Sequence, residues 1–550
     1  MDRAPALAAD GGDLRRVAAN SAIGSLWTTV SRVTGLLRVV AVGAVLGPTF
    51  FANLYAAANQ LPSLAFELLT GALLGSLVVP ALVRHLDRGR PGAAEFMASS
   101  FLTLAVLAAL AVVAVPILAG PLVLDLLTAG VPDEARAPGT GPAWLLLALL
   151  LLQVPLYLVA GMGAAVQHAH GRFGLAAAAP CAENLGIVAV LAVYAAVFGT
   201  GATAGQGTAE VALLGAGTTG AVLLHAAVQW EGARRCGVRL RPRFRGARDG
   251  EVRDLLRLVR PSLGYAAATT VRYLCVLVVT AAVPGGVVAF TMAYAFYNLP
   301  VALVARPVAS ATLPVLARAH HRGDDAAFAA TFRRTASLVL LATLPAALWY
   351  VLLSGPLATA VAFGEMAGDT GRAALTACLV GLGIGVVGES AVVLGTQAGY
   401  ARRNGTHPLR AVVLRAALAI AGMLAAALLL DGPALLVGVA LSVAVSDLLA
   451  GALLWWWVGR PAGAAPSPGS WRGTVLRPVT AGLVSLAPML GVMALIGNPA
   501  SQAAAVGLVL AAGAVGLASY VAAHAVLRTP ELRELTAAVR ARRRGGAAHG

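Results

Sequence analysis

Residues 21–46 read SAIGSLWTTVSRVTGLLRVVAVGAVL, a stretch long enough to cross a bilayer that nevertheless carries Arg32 and Arg38. A membrane-spanning helix needs about 20 mostly apolar residues. An arginine at its centre costs roughly 2.5–3.5 kcal/mol on insertion scales, so it normally faces a bundle interior or a water-filled path. The stretch therefore reads as a spanning helix with one polar side, and the polar side asks for an anion. Six residues apart, the two arginines fall about 120° apart and about 9 Å along the axis, which suits a wide cavity better than a narrow pore. The competing reading pairs Arg32 with an acid or with carbonyl groups of another span and lets Arg38 snorkel to an interface.

The rest of the chain is of the same kind. Of 550 residues, 59% are hydrophobic and only 12% charged, with mean hydropathy +0.81; a soluble globular chain has about 25% charged residues. This is the composition of a polytopic membrane protein. All 40 basic residues are arginine, so their number reflects compositional bias and each needs a positional argument. The net charge of +16 does not point to nucleic acid, because the charges lie between apolar spans rather than on a soluble basic face. Cys181, Cys236, Cys275 and Cys378 are scattered, without the spacing of a metal site or a disulfide framework, and read as packing residues. The first 19 residues lack a short apolar segment before a small-residue cleavage site, so the first span is expected to direct insertion itself.

Fourteen spans are expected, near 21–46, 53–83, 97–127, 143–166, 174–198, 209–230, 261–283, 287–316, 335–361, 373–398, 409–430, 433–458, 475–496 and 502–527. Pro62, Pro80, Pro300 and Pro314 fall inside the second and eighth, where neighbouring helices can satisfy the freed backbone groups. Arginines gather in alternate connections, at Arg15 and Arg16, Arg84 to Arg90, Arg172, Arg234 to Arg260, Arg318 to Arg334, Arg402 to Arg410, Arg460 and Arg472, and Arg540 to Arg544. The other connections hold Asp133, Glu134, Glu365, Asp369 and Asp431. Arginine-rich short loops mark the cytoplasmic side, so both termini are expected there.

The longest basic connection contains Gly250–Arg260, whose Val252, Leu255, Leu256 and Val259 recur at helical spacing. A surface-lying amphipathic helix is expected there; a solvated basic loop accounts for most of the charge, and anionic-lipid binding is the sharper alternative. The domain plan is then an N-terminal tail (1–20), a first lobe of six spans (21–230), a basic linker (231–260), a second lobe of six (261–458), a loop (459–474), two further spans (475–527) and a basic tail (528–550). A weak internal repeat agrees with two lobes: Asn59-Gln60-Leu61-Pro62 through Val79-Pro80 in span two returns six spans later as Tyr297-Asn298-Leu299-Pro300 through Leu313-Pro314. Parallel repeats of this kind place a substrate site near the midplane between lobes.

Other polar groups lie inside apolar sequence. Arg272 in span seven, Arg306 in span eight and Glu67 in span two extend the candidate site, with Glu67 as the counter-ion. An excess of guanidinium suits a phosphate-bearing substrate, because the planar fork binds phosphate oxygens bidentately. Glu183, Glu389, Arg415 and Asp447 read as structural pairs or as coupling-ion groups, and Trp455-Trp456-Trp457 as an interfacial aromatic anchor. His168 and His170 flank Arg172 in a turn where a solvated role outweighs a metal site. No Walker loop, HExxH or GxSxG appears, so the chain is read as no enzyme, with no cofactor and no bound metal.

Several separated motifs resemble the MurJ (MviN) lipid II flippases of the multidrug/oligosaccharidyl-lipid/polysaccharide exporter superfamily. Ser31-Arg32-Val33-Thr34-Gly35-Leu36-Leu37-Arg38 is similar to the family's first-helix SRxxGxxR, and Leu61-Pro62 with Gly71-Ala72 and Val79-Pro80 to its second-helix pattern. Pro180 and Asn184 match a PxxxN in span five, and Leu299-Pro300 with Leu313-Pro314 matches span eight. Tyr400-Ala401-Arg402-Arg403-Asn404 with Thr406-His407-Pro408 is similar to a YxRxDxxTP turn after span ten. The resemblance runs from about residue 18 to 530.

It implies an all-α fold of two six-helix lobes plus two C-terminal helices that guide a lipid tail. Spans one, two, seven and eight would line a cationic cavity, with Arg32 and Arg38 as headgroup-binding arginines. The family acid early in span two falls on Asn53, a lysine before the LP on Gln60, and the span-eight arginine aligns near Ala295. Arg306, eleven residues after Ala295 and on the same face of a continuous helix, is the expected replacement, and Arg272 the alternative. The implied substrate site thus comprises Arg32, Arg38, Arg272, Arg306, Glu67, Asn53, Gln60 and Asn298.

The function so implied is translocation of an undecaprenyl-diphosphate-linked peptidoglycan precursor from the inner to the outer leaflet of the bacterial plasma membrane by alternating access. Coupling to membrane potential or a monovalent cation is expected, with membrane lipids and cell-wall synthesis proteins as partners. The alternatives are an exporter of another polyprenyl-linked oligosaccharide or of drugs, and a non-transporting scaffold for wall synthesis in which Arg32 and Arg38 could become leucine without loss. A membrane glycosyltransferase would need catalytic carboxylates in a long extracytoplasmic loop, and the loops here are short.

Overall fold

The computed structural model describes residues 11–68, 74, 78–132, 140–201, 206–244, 259–459, 468–530 and 532. Most of the expected amphipathic helix at Gly250–Arg260, the acids Asp133 and Glu134, the Gly71-Ala72 pair and the basic tail lie outside the described residues. Among the described residues all regular structure is helical. Contacts divide the chain into two compact units, Met1–Thr270 and Val271–Gly550.

The first unit contains α1 (Gly11–Leu46), α2 (Phe50–Phe66), α3 (Val79–Asp87), α4 (Pro91–Leu118), α5 (Gly120–Leu127), α6 (Thr140–Leu151), α7 (Gln153–Ala169), α8 (Gly174–Phe198) and α9 (Thr208–Arg235). Helix α10 (Val259–Thr280) carries the chain across the boundary. The second unit continues with α11 (Gly286–Pro300), a π-helical turn (Val301–Ala305), α12 (Arg306–His321), α13 (Asp325–Leu352) and α14 (Ser354–Val361). It ends with α15 (Asp369–Ala401), α16 (Thr406–Leu429), α17 (Gly432–Val458), α18 (Pro468–Ile496) and α19 (Gln502–Val526).

Twelve of the described helices or helix pairs are long and apolar enough to cross a membrane, so the protein is multi-pass. The two expected spans missing from that set are the second, of which 69–73 and 75–77 lie outside the described residues, and the seventh, whose apolar helix among the described residues is Gly264–Thr280. Several spans restart rather than run straight. After α4, α6 and α13 the next helix carries a proline in its first turn, at Pro121, Pro155 and Pro356, where a missing N–H leaves no intrahelical bond unmade. Side-chain caps set other starts: Thr49 accepts from the Ala52 amide at 3.0 Å and Asp324 from Ala327 at 2.8 Å.

In the first unit α1 lies along α8, and α9 packs against α6, α7 and α8. Leaving α9, Val238–Arg243 runs extended beside α4: the amides of Arg239, Arg241 and Arg243 donate to Glu95, Ser99 and Thr103 at 2.8–3.2 Å. Two strand residues rise about 6.6 Å and four helical residues about 6 Å, so the two repeats stay in step. Cys236, just past α9, has its thiol pushed up by burial.

The second unit is built around α15, 78% of whose apolar window is buried, against 22% for α18. A Cβ at Gly388 would stand 2.4 Å from the Leu448 backbone nitrogen, and one at Gly381 2.4 Å from the Ala440 Cβ. Glycine is what lets α15 and α17 approach this closely, as small residues do where helices associate without a hydrophobic driving force. Helices α18 and α19 pack on each other and on α13, where the Tyr520 hydroxyl donates to the Leu341 carbonyl at 2.8 Å. Leu495, 89% exposed, and Leu510, 67%, point outward, as lipid-facing side chains do.

Candidate functional site

Each unit holds a cluster of polar side chains inside apolar helices, and the candidate arginines divide between them. In the first unit, Arg38 on α1 places Nη1 3.3 Å from Oε1 of Glu183 on α8. The same oxygen accepts the Tyr157 hydroxyl of α7 at 2.9 Å, and the other, Oε2, lies 2.7 Å from Nδ1 of His225 on α9. Glu183 keeps 8% of its side-chain surface and His225 12%, whereas Arg38 keeps 23%. The arginine is the open edge of the cluster.

Asn184, next to Glu183, donates its amide to the Ser31 carbonyl at 3.3 Å and to the Thr34 hydroxyl at 3.1 Å. The PxxxN asparagine therefore grips the SRVTG stretch. Arg32, nearly two turns before Arg38, is exposed. Asn53 is buried, Gln60 is half-buried and Glu67 is exposed at the end of α2. The acid on Arg38 is Glu183, which comes from α8, the helix that lies along α1.

The cluster in the second unit is closed. Arg272 on α10 places Nη1 2.9 Å from Oδ1 of Asp447 on α17, and Arg415 on α16 places Nη2 2.6 Å from Oε2 of Glu389 on α15. Arg415 Nε also meets Asp447 Oδ1, and the Tyr297 hydroxyl of α11 donates to Asp447 Oδ2. None of the four charged side chains keeps more than 11% of its surface. Two positive and two negative groups balance, and Tyr297 stacks on Tyr294 and Tyr294 on Phe290 beside them. The acid on Arg272 is Asp447, and Glu389, Arg415 and Asp447 are joined in ion pairs.

Two further expectations change. Arg306 does not share a face with Ala295, because the π turn at Val301–Ala305 interrupts the α-helix between them. Such a turn acts as one inserted residue and rotates the next stretch of helix by about 100°. Arg306 is exposed, whereas the Asn298 amide is occupied by its own helix, at 3.1 Å from the Tyr294 carbonyl. The tryptophan run is not a uniform outward anchor either: successive helical residues point about 100° apart. Trp455 is buried and donates to the Ala391 carbonyl at 2.8 Å, Trp456 is exposed, and Trp457 stacks on His407.

Sequence reasoning had not named Tyr157, His225 or Tyr297 as members of these clusters. For His225 there was a signal, a lone histidine in an apolar span beside a span containing a lone glutamate. In the turn before α16, Asn404 stands where the similar motif has aspartate, and its Oδ1 still accepts the amides of Thr406 and His407 at 3.0 and 3.2 Å. His170 in the α7–α8 turn directs Nδ1 to the Val166 carbonyl at 2.8 Å.

A family model described as "Lipid II flippase MurJ" matches residues 42–515. Among curated proteins, a probable lipid II flippase MurJ of Rhizobium meliloti (strain 1021) is 28% identical over 335 residues, 60% of this chain and 60% of that protein. The match thus spans less than two thirds of that relative. A probable lipid II flippase MurJ of Rhizobium tropici is 26% identical over 402 residues, 72% of this chain and 73% of that protein. A solved structure of lipid II flippase MurJ in an inward closed conformation has the same fold, with TM-score 0.72 at 17% identity over 93% of this chain and 99% of that one. An inward-facing multidrug resistance MATE family transporter of the MOP superfamily is a more distant fold neighbour, with TM-score 0.60 at 16% identity over 78% of this chain and 93% of that one.

Proposed function

The chain belongs to the MurJ lipid II flippase family, and we propose that it carries an undecaprenyl-diphosphate-linked peptidoglycan precursor from the inner to the outer leaflet of the bacterial plasma membrane by alternating access. The observation that carries this reading is Arg38. It stands on the helix bearing the SRxxGxxR-like run, 23% open, held by a single 3.3 Å contact to Glu183. Charge-assisted N–H···O contacts usually close to about 2.7–2.9 Å, so a diphosphate offering two oxygens competes well for this guanidinium. Arg32, exposed on the same helix, would supply a second.

Of the two candidate arginines in the second unit, Arg306 is exposed and Arg272 is already occupied by Asp447, which favours Arg306 as an anion-binding group. With both termini cytoplasmic, an inside-negative membrane potential or a cation gradient would reset the arginine-bearing empty carrier. Departures from the family pattern at Asn53, Gln60 and Ala295 favour, as a second reading, another polyprenyl-linked glycan over the peptidoglycan precursor. Cell-wall synthesis proteins are the expected neighbours.

The test is replacement of the endogenous flippase in a depletion strain, with leaflet accessibility of the lipid-linked precursor as the readout. Wild type should restore outer-leaflet precursor; Arg38→Ala should not, and Arg306→Ala should restore it only in part. Full restoration by Arg38→Ala overturns the headgroup role. Failure of the wild-type chain, with a different polyprenyl-linked glycan accumulating inside its native host on depletion, selects the second reading.

A further inference from the structure

Glu183 shares its two carboxylate oxygens among three donors of different kinds: a fixed cation, Arg38; a neutral hydroxyl, Tyr157; and a titratable ring, His225. A 2.7 Å approach of Nδ1 to an ionised carboxylate requires the hydrogen on Nδ1, which leaves Nε2 as the position that can take a further proton. The ionisable groups that face His225 come from α8 (Glu183), from α7 (Tyr157, ring centroids 6.4 Å apart and edge-on) and, through Glu183, from α1 (Arg38). Helix α6, which also packs on α9, carries no ionisable residue. Tyr55 of α2 lies two turns along α9, bonded to Thr218 at 2.8 Å.

We propose that Glu183 and His225 form a proton-binding site that loads together with an anionic diphosphate on Arg38. In the empty site the positive Arg38, the negative Glu183 and a neutral His225 sum to zero. When a diphosphate draws Arg38 away, Glu183 is left among apolar helices with only neutral donors, and an unpaired carboxylate there is costly. One proton from the aqueous phase forms an N–H bond at Nε2 of His225, and the resulting imidazolium replaces the guanidinium as the partner of Glu183. On release of the anion Arg38 returns to Glu183 and the proton leaves to water. No other bond changes. His225 is therefore a positioning residue, acting on the anion through Glu183 and Arg38. Reciprocity of linkage makes the same coupling visible from either side: anion binding takes up a proton, and lower pH tightens the anion.

The inference rests on the headgroup role of Arg38, and one set of measurements separates the two. The probe is geranylgeranyl diphosphate, titrated into the purified full chain in detergent between pH 5.5 and 8, with wild type, Arg38→Ala and His225→Gln. Gln keeps a donor to Glu183 and cannot take the proton. The affinity ratio of wild type to His225→Gln should rise as pH falls, by up to about tenfold per pH unit. The diphosphate's own titration cancels in that ratio.

A second measurement needs no variant: wild-type binding heats at pH 7 in buffers of different ionisation enthalpy should show net proton uptake. The ligand alone would release protons on meeting a guanidinium, so uptake belongs to the protein. Parallel pH profiles, or no uptake, overturn the proton site and leave the headgroup reading standing. No binding by wild type at any pH, or undiminished binding by Arg38→Ala, overturns the headgroup reading and the proton site with it.

Discussion

The two polar clusters occupy corresponding places in their units and are built to opposite ends. Arg38 lies eight residues before the end of α1 and Arg272 eight before the end of α10. Glu183 lies nine residues into α8 and Arg415 nine into α16. At the second of these places the sign is reversed, and His225 and Tyr157 in the first unit stand against Asp447 and Glu389 in the second. The result in the second unit is a balanced set of two arginines and two acids, almost wholly buried and multiply connected. The result in the first is one acid shared by one arginine, one histidine and one tyrosine, with the arginine partly open. The positions correspond while the charges differ, so one cluster is a closed fastening and the other leaves its arginine partly open, as the proposed exchange requires.

The contrast breaks most sharply at Asp447. Replacing it by alanine removes the partner of Arg272 and one of the two partners of Arg415, and removing one side of a buried pair costs about 3–5 kcal/mol. Thermal unfolding of the detergent-purified protein should show a large fall in melting temperature or loss of folded material. Gly388→Val is next, because its Cβ would press on the Leu448 nitrogen at 2.4 Å; overpacking of this kind costs about 1–3 kcal/mol. Asn184→Ala removes two hydrogen bonds to the Ser31–Thr34 turn, worth about 1 kcal/mol each. It should lower the melting point moderately and weaken diphosphate binding along with it.

Arg38→Ala leaves the buried Glu183 with Tyr157 and His225 as donors, so it is expected to lower the melting point less than Asp447→Ala, which strands Arg272, while abolishing diphosphate binding. If Arg38→Ala unfolds the protein as Asp447→Ala does, the contrast between fastening and exchangeable pair is wrong.

Much of the fold was legible before the structure. Long apolar runs with arginines gathered mostly at alternate ends allow little but a helical membrane bundle, because unpaired backbone groups in hydrocarbon are too costly for other arrangements. The SRxxGxxR-like run and the PxxxN-like pair were visible as motifs, yet their physical relation was not. Asn184 reaching Ser31 and Thr34 joins residues about 150 positions apart, and no local pattern encodes that distance. The phase of Arg306 was misjudged for a related reason: a five-residue π turn leaves no mark in hydropathy and rotates the helix beyond it. That Arg38 meets Glu183 and Arg272 meets Asp447 was not legible either, because sequence shows which charges exist and not which helices lie side by side.

By itself, then, the amino-acid sequence determined the class of fold, the approximate placement of its spans, and the presence of charge inside them, since each follows from the cost of exposing polar groups to lipid one helix at a time. Only the tertiary structure decided what that charge is for. Whether an arginine is locked in a closed pair, as Arg272 is with Asp447, or held on one replaceable contact, as Arg38 is with Glu183, depends on the helix that packs against it. Coulombic and hydrogen-bonding energies inside a bundle depend on separations of a few ångströms between residues far apart in the chain, and packing alone sets those separations.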